Sequence, residues 1–204
     1  MGGSAGTAGS PTVEEHGSAA QRDRRKRILD ATIALASQGG FDAVQMRTVA
    51  EQADVALGTL YRYFPSKIHL LVSALGREFE RAEAATRDKP TPGGTPHERV
   101  MFLLNRTTQG LQGDPHLTEA LTRAFMFADA SVAQEIHVVG TLLNTMLTRA
   151  MHPGEEHPSE HEVAIARVIA DVWLSTLVGW VTGRTSADEV PRRMDVAVGL
   201  LLPG

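Results

Sequence analysis

The sequence predicts an all-α protein built as a small three-helix head, a linking helix and a five-helix body. Apolar residues recur at helical spacing almost throughout, and no segment sustains the two-residue alternation of a half-buried strand. The clearest break, "KPTPGGTP" at 89–96, is a Pro/Gly cluster that no helix can continue through, and helical text resumes on its far side. No internal repeat is evident.

Each element follows from local signals. Residues 1–20 are mostly Gly, Ser, Ala and Thr and predict a disordered tail. A helix starts at Gln21, with Ile28, Ala31, Leu35 and Ala36 on one stripe, and Gly39-Gly40 closes it. "MRTVAEQA" follows as a short helix with Met46, Val49, Ala50 and Ala53 inward, then "ALGTLYRYF" as another. Ser66 caps a long fourth helix that turns Leu71, Ala74, Leu75, Phe79 and Ala82 inward. Beyond the break, helices span roughly 97–112, 115–129, 131–151, 159–184 and 186–202. The domains are therefore a tail (1–20), a head (21–66), and a linking helix with the body (67–204).

Composition narrows the function classes. The 204 residues contain no cysteine, which excludes disulfides and thiolate chemistry. The N-terminus lacks the charged and apolar regions of a secretory signal, and no apolar run approaches the ~20 residues of a spanning helix, so a soluble cytoplasmic protein with no membrane partner is expected. Net charge is −4, but residues 21–81 hold ten basic against seven acidic residues, whereas 82–204 hold ten against fifteen. A basic module on an acidic remainder suggests that the head meets an anion.

Two short helices joined by a tight turn fit a helix-turn-helix whose second helix enters the major groove. On a helical wheel, Ala56, Leu60 and Phe64 face the first two helices, while Gly58, Thr59 and Arg62 face away and Tyr61 and Tyr63 lie on the flanks. Glycine permits close approach of the backbone, Thr59 can meet a base edge, and phenols donate to phosphates. Lys67 adds a cation in the first turn of the next helix. The run "RDRRKR" (22–27) reads either as solvated helix or as a further phosphate contact.

"GFDAVQMRTVAEQADVALGTLYRYFPSKIHLL" (40–71) resembles the DNA-binding domain of the TetR family of transcriptional repressors. The resemblance implies a homodimer on a palindromic operator, with a helical domain that binds a small ligand. By position, it makes Arg47 the base-contacting arginine, beside Gln45 and Thr48. It sets Leu57, Gly58 and Thr59 against bases and Tyr61, Tyr63 and Lys67 against phosphates. The wheel instead puts Leu57 near the inner edge. Asp54 stands where the family has a turn glycine, Ala56 where it has a capping serine, and Gln45 where it has Ser or Thr. Over nearly the whole chain after the tail, the text further resembles the actinobacterial repressors of sterol catabolism. That likeness implies release by a small hydrophobic effector, a steroid CoA thioester. A repressor sensing another lipid or a drug, and a helical acyl-CoA-binding protein or enzyme, are the alternatives.

The body shows no catalytic motif and implies no cofactor. Met101, Leu104, Phe125, Met126, Phe127, Leu143, Met146, Leu147 and Trp173 are candidates for a ligand cavity, although any helical core contains such residues. The helix from 159 is apolar on two sides, which implies burial against its own body and against a second surface. By resemblance that surface is the dimer interface, carried by Ala166, Ala170, Leu177 and Trp180. "HPGEEHPSEHE" (152–162) groups three histidines with glutamates, but its prolines mark an exposed polar connection rather than a metal site.

Overall fold

The computed structural model describes residues 13–155 and 157–203. Among the described residues there are nine α-helices, a 3-10 turn and no strand. The helices are α1 (Val13–Ala43), α2 (Met46–Gln52), α3 (Leu57–Tyr63), α4 (Lys67–Thr86), α5 (Pro96–Gln112), α6 (Pro115–Met126), α7 (Ala133–Met151), α8 (Glu160–Val181) and α9 (Glu189–Leu201), with the 3-10 turn at Ala130–Val132. The expected tail is corrected in part. Residues 1–12 lie outside the described ones, but α1 begins at Val13, eight residues before the expected start.

Local chemistry explains the helix ends. Gly40 breaks α1 at φ 66°, a value that favours glycine. Ser66 caps α4 by accepting from the His69 N–H at 3.4 Å. Thr95 with Glu98 and Ser159 with Glu162 form complete capping boxes at the starts of α5 and α8. The two short helices of the head differ, for Gln45 and Ala56 cap α2 and α3 without a side-chain hydrogen bond. Tertiary packing must hold them.

It does so through a dense small core. Ile28, Val44, Val49 and Leu60 are fully buried and Phe64 nearly so, which joins α1, α2 and α3 to the start of α4. Ala56, expected on that inner face, is exposed. In the body, α4 packs on α6 and α7, α5 on α7 and α9, and α8 on α7 and α9, while α1 lies along α6. By length and composition α8 is apolar enough to cross a membrane, an exception to the expectation that no run approaches this size. Its stripe of Ala166, Ile169, Trp173 and Leu177 is buried in the protein's own core, and Arg167 and Asp171 interrupt its other side. That is a bundle helix.

Candidate DNA interface and effector cavity

The exposed side of α2 and α3 carries most of the expected DNA-contacting residues. Arg47, Thr48, Gly58 and Arg62 are exposed, Tyr61 retains 46% of its surface, and Thr59 and Tyr63 are half-buried. A Cβ built on Gly58 meets nothing within 4 Å, so a partner can come up to the backbone there. Leu57 is half-buried against the core, in agreement with the wheel, yet still reaches the edge of this face. Gln45 is exposed, but its side-chain amide donates to the Asp42 carbonyl at 3.0 Å.

The turn between α2 and α3 takes an unusual form. Asp54 adopts φ 52°, the left-handed region that costs a residue with a Cβ. Arg27 of α1 stabilises it, donating through Nη1 to the Ala53 carbonyl at 2.8 Å, with the Asp54 carboxylate 3.8 Å away. The basic run is thus divided in role. Arg27 holds the fold, Lys26 pairs with Asp30 at 2.8 Å, and the Arg25 guanidinium lies 5.4 Å from the Phe64 ring centre. Arg24 instead joins Gln21, Arg62 and Tyr63 around a slot of about 330 Å³ at the end of α3. Lys67 is half-buried with its ammonium 3.9 Å from the Phe41 ring centre, and burial lowers its pKa below the ordinary lysine value. It adjoins the joint between head and body rather than standing free beside α3.

That joint was not readable from the sequence, because its parts lie 78 residues apart. Glu119 of α6 accepts from the Phe41 N–H at 2.7 Å, just past the Gly40 break. Arg123, one turn on, reaches Asp42 and Glu119 at 3.4 Å and lies 4.5 Å from the Phe41 ring centre. Phe127 completes the cluster, its ring 6.5 Å from that of Phe41.

The opposite side of α6 faces a cavity. Thr118, Leu121, Thr122 and Phe125 line a space of about 380 Å³ with Phe79 of α4, Leu143 of α7 and Trp173 of α8. Trp173 is fixed by donating through Nε1 to Thr108 Oγ1 at 3.0 Å and by edge-on contact with Phe79. A second cavity of about 330 Å³ lies between α4, α5 and α6 and shares Leu75, Phe79, Leu111, Thr118 and Leu121 with the first. Of the expected cavity residues, Phe125, Leu143 and Trp173 line the first space and Met146 the second. Met101, Leu104 and Leu147 are buried in close-packed core outside both, while Met126 and Phe127 are 48% and 61% exposed. Those two point out from the end of α6, because the chain leaves the helix there.

The expected dimer residues also divide. Ala166 and Leu177 are buried within the protomer, so they offer no surface to a partner, and Ala170 lines the first cavity. Trp180 is half-buried. The exposed large apolar residues of α8 and α9 are Val168, Val196 and Leu200. In the polar connection, His152 pairs with Glu162 at 2.7 Å and Glu155 lies close by, so that one donor atom of each falls within 4.8 Å of the others. His152 and Glu155 are exposed, and Glu162 already accepts from Ser159, so the group reads as a polar contact closing the connection.

Residues 28–74 match the model of bacterial regulatory proteins of the tetR family, and residues 93–201 that of the tetracyclin repressor-like C-terminal domain. The chain belongs to the TetR family. It is 61% identical to the HTH-type transcriptional repressor KstR of Mycolicibacterium smegmatis over 92% of this chain and 91% of that protein. A crystal structure of a TetR transcriptional regulator from Rhodococcus sp. RHA1 superposes with a TM-score of 0.82 at 31% identity, covering 91% of this chain and 98% of that one. Thermus thermophilus FadR, a repressor of this family crystallised with lauroyl-CoA, shares the fold at TM-score 0.67 and 19% identity, covering 87% of this chain and 92% of that one. This TetR-family chain is therefore a DNA-binding transcriptional repressor and not an enzyme.

Proposed function

We propose that this repressor of sterol catabolism occupies a palindromic operator as a homodimer and is released when a steroid CoA thioester fills the body. The observation that carries the reading is the double role of α6. One side of that helix lines the 380 Å³ cavity, and the other holds the head through Glu119 and Arg123. A ligand that favours one position of α6 thereby biases the head. Most of the cavity wall is apolar, with Thr118 and Thr122 of α6 and Arg167 and Asp171 of α8 among its polar members, which suits a fused-ring hydrocarbon carrying a few polar groups. The fold itself accommodates a CoA thioester, as FadR with lauroyl-CoA illustrates.

In this reading Arg47 takes a guanine edge, Thr48, Leu57, Gly58 and Thr59 meet neighbouring bases, and Gln45, Tyr61, Arg62, Tyr63 and Lys67 approach the backbone. Val168, Val196, Leu200 and Trp180 supply the apolar part of the dimer face. The protein works in the cytoplasm, beside the genes it controls.

An electrophoretic shift with genomic fragments, repeated with the thioester of a sterol side-chain acid added, tests the whole proposal. Specific binding that the thioester abolishes is the expected result; no sequence preference at physiological salt overturns it. Arg47→Ala should cost about 1–3 kcal/mol at the operator and relax base preference.

A further inference from the structure

We infer that the effector's anionic tail is received by Lys89 and Arg106, in a small cationic pocket behind the Pro-rich strap between α4 and α5. This rests on the effector reading above and adds to it the residues and the direction of entry. The pocket, of about 140 Å³, shares Thr86, Leu103, Arg106 and Met146 with the second cavity, which in turn shares a wall with the first. The three spaces therefore lie in series, from α8 at one end to the strap at the other.

The chemistry changes along that series. Lys89, Arg106 and Arg149 line the strap pocket, and no carboxylate does. Arg149 is already held by the buried Glu83 at 2.8 Å. Among the described residues, the side chains of Lys89 and Arg106 make neither hydrogen bond nor ion pair. Carboxylates do reach the neighbouring cavity, but both have partners: Glu78 binds Arg81 at 2.7 Å and Asp114 caps α6 by accepting from the Leu117 N–H at 2.9 Å. At the opposite end Arg167 lines the first cavity together with Asp171, one turn along α8, so charge balances there. The passage is thus mostly apolar in its middle, where Glu78 and Asp114 are both partnered, balanced in charge at α8 and cationic at the strap.

A ligand matching that polarity has an apolar body and several negative charges at one end, as in a thioester of a phosphorylated carrier. Guanidinium and ammonium groups without partners suit phosphate oxygens. Pro90 and Pro92, both in the pocket wall, restrict the strap and hold the rim open without a large ordering cost on binding.

Calorimetry on the full-length protein with two probes, a sterol side-chain carboxylic acid and its CoA thioester, tests the assignment. The thioester should bind more tightly than the free acid, by a margin that shrinks as salt rises. Lys89→Ala and Arg106→Ala should each weaken the thioester roughly three- to tenfold and leave the free acid unchanged. Arg167→Ala should leave the margin intact. Because both strap cations have exposed side chains, the variants should melt with the parent protein.

If both probes bind but the strap variants leave the thioester unaffected, the subsite is wrong and the effector reading survives. Loss of the margin in Arg167→Ala alone places the tail at α8 and overturns the assignment. Failure of the thioester to bind removes the effector reading and this inference with it.

Discussion

The head and the body are both helical, yet they are packed to different ends. In the head, α2 and α3 are seven residues each and lack side-chain caps, and their stability comes from a small core with essentially no exposure. The body has longer, better-capped helices and encloses connected cavities of about 380 and 330 Å³. Close packing fixes one geometry, which a reader of DNA needs, whereas residual space leaves α6 and its neighbours free to reposition around a guest. The contrast teaches that within one chain rigidity and room are distributed by task.

The largest test of the contrast is in the head. Phe64→Ala should cost about 3–5 kcal/mol in denaturant unfolding, because its neighbours cannot collapse into the vacated volume. An added volume should then separate the two regions. Ala50→Leu, at a fully packed site on α2, should cost about 1–3 kcal/mol. Ala170→Leu points into the 380 Å³ cavity and should change stability by less than about 1 kcal/mol while weakening effector binding, as read by thermal melting and calorimetry on the same samples. Equal destabilisation at both sites would end the distinction.

The seam between the regions gives the third test. Gly40→Ala should cost about 1–3 kcal/mol from the backbone alone, because φ 66° with ψ −159° is a region essentially reserved for glycine, with more from a Cβ that would lie 2.6 Å from Glu119 Oε2. It should also blunt the effector's influence on operator binding, measured by titrating a preformed complex. The remaining test concerns acid. Glu83 is held at a pKa of about 2 by hydrogen bonds from Arg87 and Arg149, below its ordinary 4.5. A depressed carboxylate stabilises the fold fully above the unfolded value, and that contribution disappears as pH falls from about 4.5 toward 2. Glu83→Gln should flatten this part of the stability profile, followed by thermal melting between pH 5 and 2.

Much of the fold was legible in the sequence, because helical periodicity, Gly39-Gly40 and the Pro/Gly strap are local signals. The layout of α3 was also legible: Leu60 and Phe64 are inward and Gly58 and Arg62 outward, as spacing requires. Ala56 escaped the wheel because the residue preceding a helix does not share its geometry. Spacing names a face but not what covers it. Hence Ala166 and Leu177, on an apolar stripe of α8, belong to the protomer's own core, while Val168 on its other side remains uncovered. Phe127 reads as core by type and sits instead on the head–body joint. Glu119 carried no signal at all, since only folding brings it to Phe41.

The bond between Glu119 and the Phe41 N–H has one partner made of main chain. Every substitution at position 41 except proline keeps that donor, so inheritance can alter the latch directly only from the α6 side or through the geometry of Gly40. A selection for strains that no longer answer to the effector should accordingly gather at 119, 123 and 40 and leave the backbone donor at 41 in place. Such a lopsided spectrum would show which side of the seam holds the adjustable part.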